Sequence, residues 1–300
     1  MIFYASRKDS QTFSRILMLL SLFRLLSRLP LPILHAIGAA LGRLIYLASP
    51  DYRRRLRENL TRAGFSQHLT TAIREAGKNV LELPFVWCAK EERVLRAAHI
   101  ENWTVVQTAL DAGKGIIFLT PHLGCFEILA QAVAARHLLT VLYRPPHKQI
   151  LKPLMEGARA RHQMVLAPAT LSGVRTLLKA LKQGGMIGLL PDQVPQNGEG
   201  VWANFFGKPA YTMTLPAKLQ QMTGAPIILA YAERMSGGRG YLLRFVPFEQ
   251  RLAGNPEQQA SVINEAMEAL IARCPAQYFW SYNRYKVPDG IAPAIPETQP

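Results

Sequence analysis

The stretch Gly115-Ile116-Ile117-Phe118-Leu119-Thr120-Pro121-His122-Leu123-Gly124-Cys125-Phe126-Glu127 changes character in the middle, at Thr120. Its first part is a short apolar run bounded by glycine and proline, which reads as a strand buried on both faces. Its last part opens a helical pattern near 126–137. Strand, turn, helix is the repeating unit of an α/β fold, and the same alternation continues down the chain. Short apolar runs at 140–143, 164–166, 186–190, 226–231 and 241–246 read as strands, with helical stretches near 148–161, 171–183 and 212–223. Upstream, 69–98 reads as helix broken near Pro84, and 103–112 as a shorter one. This predicts an α/β fold with a mostly parallel central sheet flanked by helices. Sites in such sheets form at the carboxyl ends of the strands.

His122 therefore stands where chemistry is expected. A neutral imidazole takes a proton from a hydroxyl near neutral pH, and a nearby carboxylate holds its tautomer and stabilises the charge it acquires. Positions i and i+5 are about 140° apart on an ideal helix, so His122 and Glu127 would face apart if the whole segment were helical. They meet only if His122 stays on the loop and Glu127 enters the first turn of the helix, with Gly124 allowing the bend. Cys125 offers another chemistry, a thiolate with His122 as its base, or else it is a small packing residue.

Other strand ends carry polar groups. Arg144 follows the 140–143 strand and suits a phosphate or carboxylate; Asp192 and Gln193 follow the 186–190 strand on the same rim. Helix capping and turn formation are the plain alternatives for Arg144 and Asp192. Arg159 and Arg161, on the 148–161 helix, are weaker candidates for the anionic role. Phe205-Phe206-Gly207, beside Lys208, reads either as a wall for an apolar chain or as core packing.

The chain has 300 residues, 49% hydrophobic and 18% charged, with a formal net charge of +15. Such a balance favours an anionic partner: a phospholipid surface, an acidic carrier or nucleic acid. The first 100 residues hold 16 basic and 7 acidic side chains, so the excess is concentrated at the N-terminal end. There Arg15, Arg24 and Arg28 interrupt an apolar run, and the uncharged stretch 29–42 contains Pro30, Pro32 and His35. Both fall short of the roughly 20 residues that cross a bilayer. No cleavage site follows a clean apolar region, so the segment reads as retained. Helices lying on anionic lipid and helices packed on the protein's own core both fit it. The expected organisation is a basic amphipathic membrane-associating segment at 1–62, an α/β domain at 63–287 and a Pro-rich tail at 288–300. Three widely spaced cysteines without a CxxC indicate neither a disulfide framework nor a zinc site, and fit a reducing, cytosol-facing location.

As a set, His122 to Glu127, Tyr143-Arg144-Pro145, Pro191-Asp192-Gln193, Phe205-Phe206-Gly207 with Thr212, and the Thr223-Gly224-Ala225-Pro226 turn resemble the lipid A biosynthesis acyltransferases, the late lauroyl or myristoyl transferases of Gram-negative bacteria. The resemblance takes in the basic N-terminus and the run Trp280-Ser281-Tyr282-Asn283-Arg284-Tyr285-Lys286. It implies a glycerolipid-acyltransferase-like fold, an acyl-acyl carrier protein donor, a membrane glycolipid acceptor and no bound metal or cofactor. It implies also a place at the cytoplasmic face of the bacterial inner membrane, peripheral or monotopic. By resemblance His122 is the base, Glu127 its support, Asp192 the acid of the third motif, and Arg159 the arginine that follows the second. Cys125-Phe126 departs from the Asn-Trp of many members and bears on the acceptor. Three readings compete with it. An acyltransferase for a lysophospholipid or another glycolipid shares every residue named. A serine or cysteine hydrolase lacks a G-x-S-x-G elbow. A non-catalytic membrane- or nucleic-acid-binding protein explains the charge but not the polar strand ends.

Overall fold

The computed structural model describes residues 7–144, 152–159, 161, 163–196 and 198–294. The chain begins with helices α1 (Arg7–Leu26), α2 (Leu31–Ala48), α3 (Pro50–Arg62), α4 (Leu69–Leu81), α5 (Leu83–Cys88) and α6 (Glu91–Arg96). The alternating region follows as β1 (Ala98–Glu101), α7 (Trp103–Asp111), β2 (Ile116–Leu119), α8 (Phe126–Ala134), β3 (Leu139–Tyr143), α9 (Lys152–Arg159), β4 (Met164–Pro168), α10 (Leu171–Lys182) and β5 (Met186–Leu189). A hairpin, β6 (Gly200–Phe205) and β7 (Lys208–Met213), leads to α11 (Leu215–Thr223), β8 (Ile227–Arg234), β9 (Tyr241–Pro247) and α12 (Pro256–Arg273).

Among the described residues the main sheet has seven strands in the order β1-β9-β8-β2-β5-β3-β4. From β8 to β4 every pairing is parallel; β9 runs antiparallel to β8, and β1 runs parallel to β9. The sheet is thus mostly parallel, as the alternation predicts. Both its faces are covered. Ile117 and Leu119 of β2 face a core that includes Leu177, Leu219 and Met267, from α10, α11 and α12. Ile116 and Phe118 face a second core with Phe85, Ile128 and Leu129. Each strand side chain alternates between the two layers, so a strand buried on both sides reads as an unbroken apolar run.

Three elements were not anticipated as such. β1 is four residues, Ala-His-Ile-Glu, at the sheet edge with alternating exposure, too short and polar to stand out. The β6–β7 hairpin is separate from the main sheet. Helix α12 carries a capping box that the sequence does spell, in which Asn255 and Gln258 bond each other's backbone N–H around Pro256.

The N-terminal segment also differs from expectation. Pro30 precedes α2 and Pro32 sits in its first turn, where no N–H is needed, so neither proline breaks the helix. The helix runs for 18 residues with a mean hydropathy of 1.6, long and apolar enough by length and composition to cross a membrane. A third of it is nonetheless buried against the rest of the chain. Its partner is α4: a Cβ at Gly42 would fall 2.2 Å from the Ile73 carbonyl oxygen, and one at Gly77 only 1.9 Å from that of Gly38. The two backbones approach this closely because side chains are missing on both sides. The outward sides of α1 and α2 are left bare, exposing Met18 and Leu25 of α1 and Ile33, Ile37, Leu44 and Leu47 of α2. Ser49 then caps α3 by accepting from the Tyr52 N–H, with Pro50 at the first helical position.

Candidate active site

His122 stays on the loop after β2, and Glu127 enters the first turn of α8, as the spacing requires. The loop is tied to the end of β8. The Cys125 N–H donates to the Ala232 carbonyl at 2.9 Å, and the Gly124 N–H donates to the Gln277 carbonyl at 3.1 Å. Gly124 has φ +59°, and a Cβ there would lie 1.9 Å from the Ala232 oxygen, so the bend demands glycine twice over.

The strand order sets the rest. β2, β5 and β3 are neighbours, so the residues that follow them, His122, Asp192 with Gln193, and Arg144, share one rim. The His122 Nδ1–H donates to Asp192 Oδ1 at 2.8 Å, and the His122 backbone N–H donates to Oδ2 at 2.8 Å. With Nδ1 committed to a carboxylate, the basic nitrogen is Nε2, which accepts from the Gln193 amide at 2.9 Å. Asp192 is buried at 2% exposure, with Tyr278 near enough to feel its charge. Burial alone would push its carboxyl up, but the facing His122 ring and backbone N–H hold it below the ordinary carboxylate range. The same burial, with Asp192 beside it, raises the Tyr278 phenol well above its usual value, so it remains a donor. The Phe126 ring meets the His122 ring edge-on, centroids 4.7 Å apart.

His122 and Gln193 border a cavity of about 460 Å³, within the size of small-molecule sites. Its walls are apolar: Phe118, Leu129, Val141 and Met155 contribute, with Val80 and Arg144 at exposed positions. Glu127 lines it too, buried, with the Trp87 indole N–H donating to its Oε2 at 3.1 Å. The spacing in the sequence points to Glu127 as the partner of His122. The carboxylate 2.8 Å from Nδ1 is Asp192's, 70 positions away, and the pairing depends on β2 and β5 being adjacent. Trp87 and Tyr278 come from segments where nothing in the sequence pointed to a site.

The Phe205-Phe206-Gly207 segment lies elsewhere. Phe206 (φ +47°) and Gly207 (φ +71°) form the two-residue turn of the β6–β7 hairpin. Phe206 packs on Phe65 and Trp280, its N–H donates to Glu268, and the Tyr285 hydroxyl donates to the Phe205 carbonyl. This aromatic cluster anchors the C-terminal run to the fold and stands outside the cavity that His122 borders. Arg161 donates to the Ala89 carbonyl at 2.9 Å. The side chain of Arg159, Pro145 of the second motif and the tail beyond 294 lie outside the described residues. The thiolate alternative closes at Cys125: burial, then the nearby Glu82 charge, push its thiol well above the usual value, and its side chain sits in the core.

A family model described as bacterial lipid A biosynthesis acyltransferase matches residues 5–287. The chain is 24% identical over 271 residues to a lipid A biosynthesis palmitoleoyltransferase of Escherichia coli strain K12, covering 86% of this chain and 87% of that protein. It is 23% identical over 286 residues to a lipid A biosynthesis lauroyltransferase of the same organism, covering 89% and 90%. A lipid A biosynthesis acyltransferase of Haemophilus influenzae is 26% identical over 178 residues, 58% of this chain and 55% of that one.

Proposed function

The chain belongs to the bacterial lipid A biosynthesis acyltransferase family and is an acyltransferase with a lipid acceptor; on that premise we propose that it moves a fatty acyl chain from an acyl carrier protein thioester to a hydroxyl of a lipid A precursor. The observation that carries this reading is the Asp192–His122 pair at the border of an apolar cavity. In the proposed reaction the acceptor hydroxyl takes the place of the Gln193 amide at Nε2 and gives its proton to that nitrogen. The oxygen attacks the thioester carbonyl, the carbon–sulfur bond breaks, and the departing thiolate takes the proton from the imidazolium. Asp192 keeps Nδ1 protonated and the ring in place. Glu127, fixed by Trp87 and facing the same cavity, adds the negative charge that favours the imidazolium.

Arg144, exposed at the cavity mouth, is suited to an anionic headgroup. Arg159 takes the same role on its position in the helix after the second motif. The bare apolar faces of α1 and α2, among the cations Arg24, Arg28 and Arg43, suit a protein seated on the cytoplasmic leaflet of the inner membrane, peripheral or monotopic. The excess basic charge favours the acidic carrier as donor. The test is transfer of a radiolabelled acyl group from acyl-acyl carrier protein to a lipid A precursor by the purified protein in mixed micelles, the product identified by mass spectrometry. Failure with every acceptor and donor offered refutes the reading. Transfer to lysophospholipid in preference to the lipid A precursor replaces the acceptor.

A further inference from the structure

Gly188 has no side chain for a reason that its backbone does not supply. It stands in the middle of β5, opposite Phe118 of β2 and Val141 of β3, and all three line the cavity. Its φ lies outside the left-handed region, so any L-residue fits its backbone, and glycine inside a strand costs stability. At four other glycines the missing side chain makes room for neighbouring backbone: a Cβ at Gly173 would meet the Pro168 carbonyl at 1.7 Å, as Gly42, Gly77 and Gly124 meet theirs. At Gly188, among the described residues, only two atoms come within 4 Å of a built Cβ: Val141 Cγ1 at 3.2 Å and Leu139 Cδ1 at 3.9 Å. Both belong to side chains that line the cavity. The remaining space that a methyl would take is the cavity itself.

Gly188 is also at the right depth to matter. The cavity begins at the strand ends with His122 and Leu190, and it reaches Leu139, which pairs with Met186 at the start of β5. From the level of Leu190 to that of Met186 is four strand residues, about 13 Å. A saturated carbon chain advances about 1.25 Å per bond, given a tetrahedral angle and a bond near 1.5 Å, so about ten carbons fit along this path. Gly188 lies midway.

We propose that Gly188 is a specificity-determining residue: by leaving the middle of the cavity open it admits the distal half of a medium or long acyl chain, with Leu139 as the stop beneath it. This rests on the acyl-transfer reading, so two measurements are paired. One is transfer by the full-length protein from acyl carrier protein thioesters of four to sixteen carbons. The other is displacement of a fluorescent fatty acid by free fatty acids of the same lengths, which needs no transfer. Gly188→Ala should lower kcat/KM and binding for chains of eight carbons or more by roughly tenfold relative to four-carbon chains, which end short of it, the equivalent of evicting about two methylenes. Leu139→Ala should move the preferred length upward. A uniform loss at all lengths in folded Gly188→Ala, or an unchanged length profile in both assays, overturns the proposal. Wild-type protein that binds chains with this length dependence but transfers none of them refutes the acyl-transfer reading and leaves the gauge standing.

Discussion

Two buried charged clusters flank the loop that carries His122, and they are built for opposite ends. On one side Arg234 donates two hydrogen bonds to Glu82 and one to Glu75, at 2.6–2.7 Å, while Tyr241 donates to Glu82 and Lys78 pairs with Glu75. On the other side Asp192 holds His122, whose side chain retains 12% exposure toward the cavity. Both clusters perturb their groups. Burial and then Arg234 act on Glu82, with a net fall, and the Glu82 and Glu75 charges raise Arg234 despite its burial. A shifted titration therefore does not distinguish them. Access does: the first cluster is closed on its own partners, whereas the second ends in a nitrogen lone pair held by an amide that a hydroxyl can displace. The first ties α4 and the segment after it to the ends of β8 and β9; the second is poised for proton transfer.

Substitutions separate the two roles. His122→Ala should reduce acyl transfer by about 10²–10⁴-fold in a protein that stays folded by circular dichroism; a variant that keeps half the wild-type rate would end the base assignment. Arg234→Met should do the reverse, costing about 3–5 kcal/mol of stability in urea denaturation because two carboxylates are left buried without their cation, while the fraction that stays folded keeps its transfer rate. Loss of rate without loss of stability would move Arg234 into the catalytic side of the comparison. Asp192→Asn should cost about 10²-fold in kcat, with donor KM little changed. The same variant has a pH signature. The Asp192 pKa is lowered on folding, so its contribution to stability is complete above the ordinary carboxylate value near 3.9 and is lost as pH falls through and below it. The stability gap between wild type and Asp192→Asn should therefore be constant at neutral pH and shrink below about pH 4. Gln193→Ala should have the smallest effect, a change in rate within about tenfold, since it removes one neutral hydrogen bond that the substrate replaces.

The parallel sheet is legible in the residues alone because strands buried on both faces leave unbroken apolar runs, and Ile116–Leu119 and Met186–Leu189 are buried or nearly so throughout. His122, Asp192, Gln193 and Arg144 are legible because each stands just after such a run. The His122–Asp192 bond is not, because a sequence states that both residues follow strands but not that β5 lies beside β2. Glu127 is nearer in the chain, and its carboxylate accepts from the Trp87 indole N–H while the Asp192 carboxylate accepts from the imidazole. Phe205 and Phe206 misled in the same manner: a paired aromatic beside glycine reads equally as a wall or a turn, and only the hairpin register decides. The N-terminal helix is longer than its uncharged stretch because it runs on through Arg43 to Ala48, with both prolines at its start.

The glycine contact between α2 and α4 has a consequence for how the protein can be handled. A helix whose outward side suits lipid is commonly treated as a detachable handle. Here its inward side meets α4 backbone to backbone at Gly42 and Gly77, and carries His35 to 3.6 Å from Glu82. Shortening the chain to begin at residue 63 would strip the cover from α4 and open the Arg234 cluster to water. The outcome expected from such a shortened protein is an insoluble or unfolded chain rather than a free enzyme, so detergent, and not deletion, is the route to a preparation that still works.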